Sequence, residues 1–87
     1  MSSEEVCGVV EDLWRVILGV EYFDETQTIL DLGGTSISAE MIAARVREAF
    51  EVELLGTEIL RCGTLENVVS VIVSRLETGP PGRLKGV

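Results

Sequence analysis

The stretch Asp31 to Ser38, DLGGTSIS, holds the residues of this chain whose types and spacing could do chemistry. A serine hydroxyl becomes a nucleophile when a neighbouring base takes its proton. The chain contains no histidine, which excludes a Ser-His-Asp triad, and no lysine lies close to Ser36 in sequence. Ser36 therefore reads as a residue acted upon. Gly33 and Gly34 permit backbone angles closed to other residues and remove side-chain bulk beside it. If Ser36 opens a helix, the unpaired N–H groups and the dipole there favour an adjacent anion by about 0.3–1 kcal/mol at an exposed site, and a phosphate ester on the hydroxyl would sit in that field. Asp31 is expected to organise the turn before the glycines through an Asx-type hydrogen bond.

Four helices are predicted to position this stretch. Ser2 and Ser3 followed by Glu4 and Glu5 form a capping-box start, and Val6, Val9, Val10, Leu13, Trp14, Ile17 and Leu18 then recur at helical spacing until Gly19. Trp14 continues the stripe and reads as core. From Val20 to Thr35 the periodicity is lost, giving a long loop pinned by Tyr22, Phe23, Ile29, Leu30 and Leu32. A second helix is predicted over 36–50 with Ser36 at or near its N-cap, and a short third one over 57–60 after a turn at Gly56. Thr64 caps the last helix, whose face carries Leu65, Val68, Val69, Ile72, Val73 and Leu76. The β-branched run VVSVIV favours a strand locally, but length, cap and period decide for helix. Residues 79–87, GPPGRLKGV, read as a tail after a single domain over 1–78.

Composition narrows the function classes. A chain of 87 residues makes one domain whose core supplies only about 3–5 kcal/mol of net stability, which favours a binding module over a self-sufficient enzyme. Cys7 and Cys62 fit no metal or redox spacing and are expected as reduced, buried thiols. The net charge is −8, with all fifteen acids before Gly79 and Arg83 and Lys85 after it. Such a surface repels nucleic acid and anionic lipid and steers toward basic partners. No apolar stretch is long enough for a bilayer span and no signal-like segment opens the chain, so a soluble cytoplasmic protein is expected; separately, it is expected to be a monomer.

DLGGTSI, taken with LWRVILGV, the apolar loop into ILDLGGTS and EILRCGTLENV in that order, resembles the phosphopantetheine attachment signature of carrier proteins, over roughly Val6 to Leu76. Leu32-Gly33-Gly34, one residue and then Ser36 is similar to the peptidyl carriers of nonribosomal peptide synthesis. Fatty-acid and polyketide carriers usually have aspartate directly before the serine, where this chain has Thr35. The chain also departs from the family at Gly63, where proline often precedes the threonine of the last helix; glycine is expected to loosen that turn.

The resemblance implies an all-α, acyl-carrier-like four-helix bundle with a long first loop and a short third helix. It implies 4′-phosphopantetheine, delivered from coenzyme A by a phosphopantetheinyl transferase and attached covalently to Ser36, with Gly33, Gly34 and Thr35 around it. Amino acids or acyl groups would ride on the arm as thioesters, loaded by an adenylating enzyme and used by condensation or tailoring enzymes, with the domain catalysing nothing itself, either free-standing and working in trans or as a domain of a larger synthetase. An acyl carrier of polyketide or other acyl-transfer pathways is the alternative within the class, and an unmodified helical adaptor the one outside it.

Wrapping the second helix at about 100° per residue puts Ala39, Ile42, Ala43, Val46, Ala49 and Phe50 on a core stripe. Ile37, Met41 and Ala44 point the opposite way and are expected to form an exposed apolar docking patch beside the arm. Glu40, Arg45, Arg47 and Glu48 flank it as a solvated charged face.

Overall fold

The computed structural model describes residues 2–78. It is an all-α bundle of four helices with no strand among the described residues: α1 (Ser3–Leu18), α2 (Ser36–Phe50), α3 (Gly56–Cys62) and α4 (Leu65–Thr78). The segment 79–87, expected as a tail, lies outside the described residues. Helix α2 packs on α3 and α1, and α1 packs on α4.

Each helix starts and stops for a local reason. The Ser2 hydroxyl accepts from Glu5 N at 3.3 Å while the Glu5 carboxylate accepts from Ser2 N at 3.1 Å, which completes the expected capping box. Gly19 ends α1 in the left-handed conformation at φ +69°. Val6, Val10 and Trp14 are completely buried at spacing i, i+4, i+8, whereas Val9, off that line, is exposed. The Trp14 indole N–H is buried without an acceptor among the described residues.

In α2 the core positions are Ala39, Ile42, Ala43, Val46 and Phe50. Ala49, predicted with them, is exposed; beyond Val46 the core is filled by Phe50, Val52 and Leu54 instead. Two further expectations change in the loop. Tyr22 and Leu30 do not pin it, being 87% and 67% exposed, whereas Ile29 is buried at 1% and Phe23 and Leu32 pack, partly buried, against the core as expected. Short-range bonds also hold the loop: Thr28 and Asp31 exchange backbone-to-side-chain bonds at 3.0 and 3.1 Å, while Asp24 N donates to the Gln27 side-chain oxygen at 2.7 Å and Gln27 N to the Asp24 carbonyl at 3.0 Å. Cys7 and Cys62 are half-buried, not buried. Burial and then Glu11 push the Cys7 thiol up, and burial and then Glu58 do so for Cys62, so both are weak nucleophiles at neutral pH.

Helix α3 is longer than expected, and Gly56 is its buried first residue, not a preceding turn. A β-carbon there would lie 2.9 Å from Glu40 Cα, so only glycine lets α3 approach the α2 backbone this closely. Gly63 also differs from expectation. At φ +77°, ψ −60° and with Thr64 N donating to Cys62 O at 2.9 Å, it forms a tight γ-turn that proline could not enter. Its carbonyl accepts from Ile29 N at 3.0 Å, which ties the first loop to the α3–α4 turn. Thr64 then caps α4, accepting from Asn67 N at 3.3 Å.

Candidate functional site

Ser36 lies at the first position of α2, one residue after the cap. Thr35 is the cap: it is extended at φ −133°, and its hydroxyl accepts from Ile37 N at 3.2 Å and Ser38 N at 3.4 Å. The Ser38 hydroxyl returns the bond, accepting from Thr35 N at 3.3 Å, while Ala39 N donates to Thr35 O at 3.0 Å. Of the donors that open the helix, the Ser36 N–H alone is left without an acceptor among the described residues. Ser36 is exposed and its hydroxyl is likewise uncommitted.

The two glycines act differently. Gly33 has φ +87° with open space around it, so it serves the backbone. Gly34 serves packing: its N–H donates to Ile29 O at 2.8 Å, and a β-carbon would press on Leu18 Cδ2 at 2.7 Å and on the Ile29 oxygen at 3.0 Å. The loop thus crosses the end of α1 where only a glycine fits, and this contact fixes where Ser36 projects. Asp31 stabilises the turn before the glycines, as expected, though through a reciprocal pair with Thr28 three residues earlier and not an Asx-type bond: Thr28 N donates to its carboxylate and its N–H donates to the Thr28 hydroxyl.

Ile37 and Met41 are 72% and 52% exposed, and Ala44 is exposed with them. Leu30 and Leu55, the latter at the cap of α3, add exposed apolar surface that helical spacing could not reveal because both lie in irregular segments. Part of the flanking charge has structural work. Glu40 accepts from Gly56 N at 3.1 Å and pairs with Arg47 at 3.1 Å, and Arg47 also donates to Leu54 O at 2.8 Å, fastening the α2–α3 segment beside the patch. Arg45 and Glu48 are the solvated pair expected, 3.6 Å apart. Across the molecule, Glu58 and Arg75 join α3 to α4 through a two-pronged ion pair, which holds the Glu58 carboxyl below its ordinary range and raises Arg75. Ser38 is the site residue that sequence reasoning missed; its signal is the capping-box spacing from Thr35, with serine in place of the usual glutamate or glutamine.

No grouping of side chains able to hold a metal occurs among the described residues, and no described helix is long and apolar enough to cross a membrane. A cleft of about 660 Å³ between α1, the first loop and α4 is lined by Cys7, Arg15, Phe23, Leu65 and Val69 among others, and by none of residues 33–44. What the start of α2 offers is one hydroxyl at a helix start without a hydrogen-bond partner among the described residues, with an open N–H beside it and exposed Ile37 next in the chain. That set suits an esterified serine.

Comparison with known proteins gives the family. Residues 8–72 match the family described as phosphopantetheine attachment site. Tyrocidine synthase 3 of Brevibacillus parabrevis is 33% identical over 63 residues, 72% of this chain. The nonribosomal peptide synthetase FrzA of Cladobotryum sp is 29% identical over 77 residues, 86% of this chain. The chain spans 1% and 8% of the length of these two relatives. The chain belongs to the phosphopantetheine attachment-site family. Its domains are non-catalytic carriers of a 4′-phosphopantetheine group.

Proposed function

We propose that this domain is a peptidyl carrier whose Ser36 oxygen bears the phosphopantetheine arm, and that amino acid or acyl intermediates ride on the arm's thiol as thioesters during nonribosomal peptide or related biosynthesis. The observation that carries the assignment to Ser36 is its free, exposed hydroxyl at the first position of α2, set there by the Gly34 contact and flanked by exposed Ile37 and Met41. In the transfer, a bond forms between the Ser36 oxygen and the phosphorus of coenzyme A, the bond to adenosine 3′,5′-bisphosphate breaks, and the serine proton leaves to a base of the transferase. This chain supplies the positioned hydroxyl and the surface that enzymes read. The similarity to two peptide synthetases supports the peptidyl over the acyl reading.

On this reading Gly33, Gly34 and Thr35 shape the attachment turn, and Ile37, Met41 and Ala44 form the docking face for the transferase, an adenylating enzyme and condensation or tailoring enzymes. The test is intact mass before and after incubation with coenzyme A and a broad-specificity phosphopantetheinyl transferase. Wild type gains one phosphopantetheine and Ser36→Ala gains none. Equal gain in the variant removes Ser36 from the role. Loading of the holo form by an amino-acid-adenylating enzyme then supports the peptidyl reading, and acceptance only of acyl groups from an acyltransferase overturns it.

A further inference from the structure

The cleft between α1, the first loop and α4 is separate from the start of α2, since none of residues 33–44 lines it. Its volume, about 660 Å³, is that of a ligand-binding cleft. The floor is apolar: Cys7, Phe23, Leu65 and Val69 are only half-buried there, so their remaining surface meets water. The rim is acidic. Glu21 and Glu25 on the loop and Glu66 on α4 are exposed, and their carboxylates have no ion-pair partner among the described residues. The cation that lines the cleft, Arg15, is already engaged: it pairs with Glu11 and Asp12 at 3.5 Å, donates to the Glu21 carbonyl at 3.3 Å and lies 5.9 Å from the centre of the Phe23 ring. The surrounding field has the same sign. Residues 1–35 carry eight acids against one base and residues 36–78 seven against four, so the negative potential is strongest along α1 and the first loop, two of the three walls.

We propose that this cleft is a second docking surface, for a short segment of a partner protein in which a lysine or arginine flanks an apolar or aromatic side chain. The apolar side chain removes the floor from water, and the cation meets the unpaired carboxylates of the rim. Other ligand classes satisfy one half of the site at most. An anion is repelled by the rim, a neutral apolar molecule leaves the carboxylates crowded around a dried cleft, and a bare polycation leaves the floor wet. A segment seated here touches none of Ser36, Ile37 and Met41, so a partner can hold the domain without occupying the attachment site. The inference goes beyond the assignment of the arm to Ser36 and does not depend on it.

The probe is the capped peptide acetyl-Leu-Arg-Phe-Lys-Leu-amide, titrated into the isotope-labelled chain and followed by amide chemical shifts. Its controls are acetyl-Leu-Gln-Phe-Gln-Leu-amide, without charge, and acetyl-Gly-Arg-Gly-Lys-Gly-amide, without apolar side chains. A cation within about 5 Å of a carboxylate at a wet surface is worth about three- to ten-fold in affinity, so the probe is expected to bind at least about ten-fold tighter than either control at low salt. High salt should remove most of its margin over the uncharged control. Shifts should gather at Cys7, Leu65 and Val69, and alkylation of Cys7 should slow while that of Cys62, outside the cleft, does not. Glu66→Lys on α4 and Glu25→Lys on the loop should each weaken binding about ten-fold, whereas Glu48→Lys, the same charge change outside the cleft, stays within about three-fold. The holo form should bind as the apo form does. No saturable binding in the millimolar range, equal binding of either control, or an equal loss in Glu48→Lys overturns the proposal. So does loss of binding on conversion to the holo form, which gives the cleft to the arm, or a dimer in sedimentation that Glu66→Lys dissociates, which gives it to a second copy. None of these outcomes bears on Ser36, whose assignment stands or falls on the mass of Ser36→Ala.

Discussion

A single methyl group added at Gly34 tests what fixes the position of Ser36. The β-carbon would lie 2.7 Å from Leu18 Cδ2 and 3.0 Å from the Ile29 carbonyl oxygen, with Ile29 Cγ2 also in its way. Side-chain tips can turn aside, but the carbonyl belongs to the loop backbone and moves only with the turn. Overpacking of this kind costs about 1–3 kcal/mol, and stretching the 2.8 Å bond from Gly34 N to Ile29 O adds up to about 1 kcal/mol. Loss of glycine's freedom in the unfolded chain returns about 0.4–1 kcal/mol. Gly34→Ala is therefore expected to lose up to about 3.5 kcal/mol, centred near about 2 kcal/mol, or roughly 8–16 °C of midpoint at that centre for a domain of this size. Urea unfolding followed by the fluorescence of Trp14, the chain's one tryptophan and wholly buried, reads the loss directly. Gly33→Ala is the control, because nothing crowds that site and its cost of about 1 kcal/mol comes from φ +87° alone. Truncating Leu18 to alanine should relieve part of the Gly34→Ala loss, giving a coupling of about 0.5–1.5 kcal/mol. A Gly34→Ala cost below about 0.5 kcal/mol with no coupling to Leu18 would refute the close-packing account.

Met41→Glu is expected to keep the midpoint within about 0.5 kcal/mol of wild type, since the residue is half exposed, while slowing modification and loading; a large stability loss in melting experiments would place Met41 in the core. Glu51 ends α2 in the left-handed region at φ +53° without side-chain partners among the described residues, so Glu51→Gly should gain about 0.5–1 kcal/mol in urea unfolding, and a loss would contradict the strain. The Glu58 carboxyl is depressed in the folded state, first by its bond to Arg75. Its contribution is thus complete above the unfolded value of 4.5 and disappears as pH falls through the lower folded one. Thermal midpoints measured from pH 7 to pH 2 should therefore decline less steeply in the acid limb for Glu58→Gln than for wild type, and parallel curves would remove the ion pair from that limb.

The parts of the fold legible in the sequence were those with a period or a cap. Ser2 with Glu5, Gly19, and Thr64 with Asn67 mark helix ends through bonds spanning three or four residues, and the Val6, Val10, Trp14 line repeats within one helix. What escaped depends on partners distant in sequence. Gly56 reads locally as a turn, but it opens α3 because Glu40, sixteen residues earlier, accepts its N–H and leaves no room for a side chain. Gly63 reads as a loosened turn, yet its γ-turn is tight because its carbonyl receives the N–H of Ile29 from the first loop. Tyr22 and Leu30 looked like anchors because apolar residues in a loop usually are, but only Phe23, Ile29 and Leu32 of that set reach the core, and the loop's own hydrogen bonds hold the rest. Ser36 was legible for the opposite reason: the chemistry of a helix start is local, so glycines, cap and hydroxyl are adjacent in sequence as well as in space.

On the proposed reading the domain must visit several enzymes in turn, which limits how strongly any of them can hold it. Ile37 and Met41 offer apolar surface on one helix face, interrupted by Glu40, Arg45 and Glu48. A face so small supports contacts nearer the micromolar than the nanomolar range, about 8 against 12 kcal/mol, and so permits release after each step. Methionine suits a surface read by more than one partner, because its unbranched, polarizable chain repacks against differently shaped grooves at little cost. The net charge of −8 opposes the approach of a second copy to the same patch and favours partner surfaces that are basic. If this is the balance, replacing Met41 with leucine, of similar volume but stiffer, should leave stability nearly unchanged and affect partners unequally. Transferase and adenylating-enzyme kinetics on Met41→Leu would show it: one partner is expected to lose at least about three-fold in kcat/KM while the other is retained, and equal retention of both would mean that the patch works by bulk alone.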